Sequence, residues 1–393
     1  MKYRQAINYL ESFQKFGVRL GLDRIKLLLS KLGNPQDTFK SIHIAGTNGK
    51  GSVAAMLSSI LTKAGYKVGL YTSPHLVDYT ERIRVNEKDV SREKFAEAVT
   101  QVKNKLMELP GLKLTEFEVL TAAAFLLLSQ EKMDIAVIEV GLGGRLDATN
   151  VITPVLSIIT SVDLDHTDVL GNSLVKIAKE KAGIIKRGIP LVTGENRSIE
   201  VLRGICKKKS SPFISAGKIK IKYHPLAGVH QIENTKIVMA GIDVLKQKGF
   251  KVNARQIYQG LRKTRWSGRI QVVHKKPLII LDGAHNPAGA KALRKYLSSL
   301  KKKITFIVGM QKNKAIPEFI DIVRPLAEEF IVVRSSNPGA APKEMFGNKI
   351  KGPVFAKNIR QAFIYAKQKK HPVCVTGSLY LVGDVLRQKL IDL

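Results

Sequence analysis

The run His43-Ile44-Ala45-Gly46-Thr47-Asn48-Gly49-Lys50-Gly51-Ser52 constrains this chain more than any other stretch. Residues 39–45 read as a short buried strand, and 53–64 carry apolar residues at helical spacing. A strand that breaks into a glycine-rich turn, then a helix with Lys and Ser at its start, is the layout of a phosphate cradle. Glycines let backbone N–H groups turn inward, and the helix N-terminus adds partial positive charge. Lys50 would neutralise phosphate oxygens, and the hydroxyl of Thr47 or Ser52 could hold Mg²⁺. The match to the common P-loop pattern is imperfect: Ile44 stands where that pattern has its first Gly, and Gly51 stands where Ser or Thr follows the Lys. The plainer reading is a Gly-rich strand-to-helix turn with a solvated lysine.

A chain of 393 residues exceeds one ordinary core and suggests two domains, at about 150 residues each. No apolar run reaches transmembrane length, and the N-terminus lacks a signal-peptide pattern. Cys206 and Cys374 lie far apart without metal spacing, which fits a reducing compartment, so a cytoplasmic location is expected. The 65 Lys and Arg against 32 Asp and Glu give a net charge of +33, which raises a nucleic-acid partner. Yet the basic residues are dispersed, with no zinc-finger spacing or aromatic RNA-binding signature, and anionic small molecules account for the charge equally well.

In chain order, residues 1–38 read as helical, followed by the glycine-rich turn. Strands are expected at 67–72, 134–140, 155–162 and 189–193, and helices from Ser91 to 109, from Thr115 to 131 and over 172–185. Strands alternating with helices argue for a mostly parallel, doubly wound α/β sheet whose ligands bind at the carboxyl ends of strands. Residues 213–229 are irregular, and helices follow at 230–248 and 253–263. Trp266-Ser267-Gly268-Arg269 breaks the pattern, dividing the chain into domains 1–268 and 269–393. A second α/β series follows, with strands at 278–281, 304–309, 330–333 and 372–376 and helices at 287–299, 316–328, 358–368 and 379–390.

Several polar residues fall at these strand ends. Glu139 and Ser73 suit an oxygen-loving Mg²⁺, His166 less so; the alternative is a carboxylate and an imidazole satisfied by backbone groups. Lys181 reads locally as a solvated helix lysine. Arg269 could clamp a phosphate with its planar fork or pair with a surface carboxylate. Asp282 could accept ribose hydroxyls or cap its turn. His285 and Ser378 say little alone.

Taken together, the motifs resemble the Mur-type amide ligases, in particular folylpolyglutamate synthase/dihydrofolate synthase, over nearly the whole chain. The likeness runs through G-L-D-R-I, G-T-N-G-K-G-S, T-S-P-H-L, E-R-I-R-V, T-E-F-E-V-L-T-A-A-A-F and E-V-G-L-G-G-R-L-D-A-T-N. It continues with D-L-D-H-T-D-V-L-G, E-K-A-G-I-I-K, H-Q-x-x-N, W-S-G-R, L-D-G-A-H-N-P and T-G-S-L-Y-L-V-G. The resemblance implies an α/β fold with an N-terminal P-loop ATPase-type domain and a smaller C-terminal Rossmann-like domain. The implied activity is ATP- and Mg²⁺-dependent ligation of L-glutamate to dihydropteroate, to reduced folates, or to both. It implies that Gly46, Thr47, Asn48, Gly49, Lys50, Gly51 and Ser52 bind the phosphates, and that Ser52, Ser73, Glu139, His166 and a carbamylated Lys181 serve the metal sites. Asn234 resembles the adenine contact, Arg269 a phosphate contact reaching across the domain gap and Asp282 the ribose contact. His285 and Ser378 resemble residues near the incoming glutamate, and Asp147 part of the pterin pocket. A monomer is expected, with neither membrane nor nucleic acid as partner. A muramyl-peptide synthetase or a nucleic-acid-binding P-loop protein would leave T-E-F-E, S-P-H-L and D-G-A-H-N-P unexplained. Three places depart from the family pattern: Ser267 replaces a usual Pro, Gly309-Met310-Gln311-Lys312-Asn313-Lys314 replaces an acidic stretch, and the segment before His230 is short, which would reduce substrate-facing elements there.

Overall fold

The computed structural model describes residues 1–17, 19–221, 223–347, 350, 354–369 and 371–392. It divides into two compact units. The first comprises Met1–Val162, Leu170–Tyr223 and Glu233–Thr264; the second comprises Asp163–Val169, His224–Ile232 and Arg265–Leu393.

The first unit is built on eight strands: β1 (Lys40–Ala45), β2 (Val68–Tyr71), β3 (Ile83–Val85), β4 (Lys88–Asp89), β5 (Ile135–Glu139), β6 (Leu156–Ile159), β7 (Leu191–Thr193) and β8 (Phe213–Ser215). Their order is β4-β3-β2-β5-β1-β6-β7-β8, parallel from β2 to β8, with β3 and β4 added antiparallel at one edge. Apolar runs such as Ile-Ala-Val-Ile in β5 are buried throughout, as a sheet covered on both faces requires. The helix Lys50–Lys63 is apolar nearly all round and correspondingly buried from Gly51 to Leu61. The carboxyl ends of β1, β2, β5, β6 and β7 share one edge of the sheet, and β1 sits between β5 and β6 at that edge's centre.

The second unit carries β9 (Gln271–Lys275), β10 (Leu278–Leu281), β11 (Ile304–Val308), β12 (Ala327–Val332), β13 (Val354–Phe355) and β14 (Val373–Thr376), in the order β13-β12-β11-β14-β10-β9. All neighbours are parallel except β9 with β10. Phe306 and Phe330 stack at 5.4 Å within a core that also holds Phe319 and Phe346. Among the described residues no helix is long and apolar enough to cross a membrane.

Local differences from the sequence reading have identifiable causes. The expected helical stretch 1–38 is two helices, Tyr3–Glu11 and Asp23–Lys31, because Gly17 at φ +57° and Gly21 at φ +142° break it. The helix expected over 316–328 ends at Val323, where Arg324-Pro325-Leu326 forms a 3₁₀ turn and β12 starts early. The segment 172–185 is the helix Leu174–Lys181 followed by a 3₁₀ turn, and the last helix stops at Arg387. The β3–β4 hairpin, the helix Ile199–Lys208 and the antiparallel β9 were not anticipated.

Candidate active site

The helix after β1 starts at Lys50, three residues before its apolar periodicity begins, with Gly49 as N-cap at φ +88°. Lys50, Gly51 and Ser52 therefore form the first turn, and the N-terminal end of a helix is where backbone N–H groups and the helix dipole favour an anion. Residues just past β6 peg the loop. The N–H of Thr47 donates to the Ser161 carbonyl at 2.9 Å, the Thr160 hydroxyl donates to the Asn48 carbonyl at 2.6 Å, and the Asn48 N–H donates to Ser161 Oγ at 3.1 Å. Lys50 Nζ lies back over the loop, 3.0 Å from the Gly46 carbonyl oxygen and 3.3 Å from that of Thr47. Gly46, at φ +152°, has no room for a side chain: a Cβ there would stand 1.9 Å from Thr160 Oγ1. At Gly49 a Cβ would stand 2.4 Å from Asn234 Oδ1, so Asn234, from the helix His230–Gln247, packs directly on the cradle.

At the same edge, Glu139 ends β5 with 4% of its surface exposed, and the Ser73 N–H donates to its carboxylate at 3.3 Å. The loop carrying Ser73 is shaped by Glu81, whose carboxylate accepts the N–H groups of Leu76, Val77 and Asp78, each at 2.8 Å. Arg82 Nε donates to His75 Nδ1 at 2.8 Å. These contacts give the E-R-I-R-V string a local role. Lys181 is only 3% exposed, against the solvated position its local pattern suggests. Its backbone packs on Gly144, where a Cβ would lie 2.9 Å from the Lys181 carbonyl oxygen, so the L-G-G-R and E-K-A-G strings interlock.

Asp147 is buried and caps the 3₁₀ turn Ala148–Val151. It accepts the N–H of Leu142 at 2.8 Å and both the N–H and hydroxyl of Thr149, at 3.0 and 2.5 Å. Burial pushes its carboxyl above the usual range, against those hydrogen bonds. The Phe117 ring lies against Gly141 and stacks on Tyr71 at 6.1 Å, giving this edge an aromatic wall.

Among the described residues no three His, Cys, Asp or Glu side chains gather as a ready-made metal cage. A buried single carboxylate, Glu139, beside a phosphate cradle fits Mg²⁺ all the same. That ion keeps waters and takes phosphate oxygens with one or two carboxylates rather than needing a protein cage.

In the second unit, Arg269 sits between Gly268 at φ +70° and Ile270 at φ +46°, a left-handed conformation that a β-branched residue adopts only under constraint. The constraint is visible: Asp282 Oδ2 accepts the Ile270 N–H at 2.8 Å, and the Gly283 N–H donates to the Gly268 carbonyl at 2.8 Å. The other oxygen of Asp282 accepts the Ala284 N–H at 2.9 Å, so Asp282 caps its turn and holds the Arg269 loop together. Burial raises the Asp282 carboxyl, opposed by the nearby Arg269 charge. Burial, helped by that same guanidinium, pushes His230 down to about 4, leaving it neutral near pH 7. Ser378 caps the helix Leu379–Arg387 by accepting the Tyr380 N–H at 3.1 Å.

Asp165 and Lys314 were not anticipated as site residues. Asp165 Oδ1 lies 2.5 Å from Lys314 Nζ, and Oδ2 accepts from Asn286 Nδ2 at 3.1 Å and lies 3.5 Å from His285 Nε2. Burial alone would raise the Asp165 carboxyl; His285 and the Lys314 ammonium hold it far below the usual range. The structure thus gathers His166 and His285 around Asp165, and sets Arg269 beside Asp282. In the first unit it gathers the loop residues with Asn234, and Ser73 with Glu139. No local pattern signals Lys314, because 149 residues separate it from Asp165.

Family models match in sequence order: the Mur ligase middle domain over residues 44–222 and the Mur ligase glutamate ligase domain over 268–379. The dihydrofolate synthase/folylpolyglutamate synthase of Bacillus subtilis is 32% identical, over 98% of this chain and 99% of its own. The chain belongs to the folylpolyglutamate synthase/dihydrofolate synthase family. It is accordingly an ATP-dependent ligase of the Mur type. Among solved structures of this family, Escherichia coli FolC in complex with DHPP and ADP superposes with a TM-score of 0.92 at 29% identity, covering 100% of this chain and 98% of the other. The Yersinia pestis folylpolyglutamate synthase/dihydrofolate synthase complexed with AMPPNP and Mn ion gives 0.90 at 30% identity, covering 99% and 98%.

Proposed function

We propose that this ligase joins L-glutamate both to dihydropteroate and to reduced folates, with ATP as phosphoryl donor and Mg²⁺ as the metal. The observation that carries the reading is the pegged cradle of Gly46–Ser52 with buried Glu139 at the same sheet edge. A free carboxylate is a poor electrophile. In this reading its oxygen attacks the γ-phosphorus of ATP, forming an acyl phosphate and releasing ADP. The glutamate amine then attacks the acyl carbon, and the tetrahedral intermediate expels phosphate, leaving an amide.

Lys50 moves from the loop carbonyls to the phosphate oxygens, while the N–H groups of the first helical turn orient the chain of phosphates. Glu139, Ser52, Ser73, His166 and Lys181, the last as its carbamate, would hold Mg²⁺, which supplies charge neutralisation at the transferring phosphoryl group. Asn234 contacts adenine, Asp282 the ribose, and Asp147 the pterin. His285 and Ser378 face the incoming glutamate. Arg269 stabilises charge that grows on the phosphoryl oxygens.

Arg269→Ala is expected to lower kcat about 10²–10³-fold, the range for losing one donor to developing charge, in a protein that still folds by circular dichroism. Arg269→Lys should recover little, since a point charge does not replace a planar fork. Unchanged turnover in the alanine variant would refute the role.

Phosphate release with Mg·ATP and L-glutamate tests the whole reading. Stimulation is expected from dihydropteroate and from tetrahydrofolate separately. Stimulation by one alone would cut the proposal to that acceptor, and by neither would overturn it.

A further inference from the structure

Lys314 comes from the stretch that departs from the family's acidic pattern, and its side chain is only 7% exposed. Its Nζ lies 2.5 Å from Asp165 Oδ1 and 3.1 Å from His166 Nε2. An ammonium carries donors only, so at this contact His166 Nε2 must be the acceptor and its ring proton must sit on Nδ1. That is the less populated tautomer of a free imidazole, and fixing it takes a specific partner. The backbone is fixed as well: His166 stands at φ +49°, and its own N–H donates to Asp165 Oδ1 at 2.9 Å. Asp165 thus binds both the cation and the turn that presents the ring. Asn286, which caps the helix Pro287–Ser298, donates its Nδ2 to the other carboxylate oxygen. A lone pair on Nε2 aimed at a positive charge is what a metal ligand has to offer.

We propose that Lys314 is a built-in stand-in cation: it holds His166 as the Nδ1–H tautomer, keeps Nε2 open for a divalent metal, and gives up that contact when the metal arrives. This rests on the reading of His166 as a metal ligand. No covalent bond changes and no proton moves. The ammonium exchanges one acceptor for another while its link to Asp165 retains it nearby. Because an ammonium beside Nε2 repels a second cation, the same residue weakens metal binding until it withdraws. Lys314 is therefore a positioning residue whose removal has two separable signatures.

The test uses full-length protein with ¹⁵N-labelled histidine, metal-free, with His166 assigned through the signal lost in His166→Gln. Long-range ¹H–¹⁵N correlation is expected to show Nδ1 protonated and Nε2 bare in the unaltered protein, and Nε2 protonated in Lys314→Met. Should Lys314→Met fold poorly because Asp165 loses its partner, Lys314→Met/Asp165→Asn removes the stranded charge and is read in the same way. Mn²⁺ titrated with a non-hydrolysable ATP analogue, followed by electron paramagnetic resonance, should bind about tenfold more tightly to the Lys314 variant, the effect of relieving one screened repulsion. Protonated Nε2 in the unaltered protein, an unshifted tautomer in the variant, or equal or weaker Mn²⁺ binding would each overturn the proposal. A correct tautomer whose His166 signals are not broadened by Mn²⁺ would instead refute the metal-ligand reading and the exchange step with it, leaving only the contact with Lys314.

Discussion

Gly46→Ala is expected to abolish measurable ATP binding in a protein that still folds. Two costs add at this position. The backbone at φ +152° is one that residues with a Cβ rarely adopt, and the new methyl would sit 1.9 Å from Thr160 Oγ1 and 3.2 Å from the Ser161 nitrogen. Thr160 and Ser161 cannot simply step aside. They are the pegs that hold Thr47 and Asn48, and Thr160 is also bonded through its N–H to the Ala45 carbonyl at 3.0 Å. Relief of the overlap therefore moves the loop, and with it the N–H groups that must converge on phosphate.

A displacement of about 1 Å in such a constellation costs on the order of 10²-fold in function. Gly49→Ala makes a graded comparison. Its φ of +88° is also unfavourable, but the obstructing atom is the terminal oxygen of the Asn234 side chain, which can rotate. The strain alone is about 1–2 kcal/mol, so roughly a tenfold loss is expected there. Titration calorimetry with ATP and far-UV circular dichroism separate binding from folding. Native affinity in Gly46→Ala would show that the loop binds phosphate by some other arrangement, if at all.

What could be read in the sequence was what local chemistry encodes. The run G-T-N-G-K-G-S marks a strand-to-helix turn through its own glycines, and buried parallel strands such as Ile135–Glu139 show as continuous apolar runs. The helix after it does begin with Lys50 and Ser52 in its first turn, as that run implies, although the apolar spacing that reports its burial starts only at Val53. The β3–β4 hairpin carries its signal in Asn86 and Glu87, both at positive φ, but Glu is a poor marker for that conformation and the turn passes unnoticed. Pro325 did mark the end of its helix and was a usable signal. Lys181 and Lys314 lie beyond any such reading. Lys181 is buried and its backbone packs on Gly144, Lys314 pairs with Asp165, and a lysine's neighbours in the chain do not reveal which distant surface will meet it.

Asp165→Ala is expected to destabilise the second unit by about 3–5 kcal/mol, the range for removing one partner of a buried ion pair. The loss would come less from the missing contact than from what remains: Lys314, 7% exposed, would lose the carboxylate it pairs with, and the Asn286 amide and the His166 N–H would lose an acceptor. Lys314→Met in the same background should restore part of the stability, because an apolar side chain of similar length carries no charge to strand. The pH dependence has a definite sign. The Asp165 carboxyl is held far below its ordinary value in the fold, so the unfolded chain takes up the proton first as the solution is acidified. Its contribution is complete above about pH 4, the ordinary value of an aspartate, and fades as pH falls below that. Urea unfolding of the unaltered protein and of Asp165→Ala should therefore give a gap that is constant from pH 8 to about pH 5 and narrows in more acidic buffer. A gap that widens on acidification would mean that Asp165 is not the anion holding Lys314.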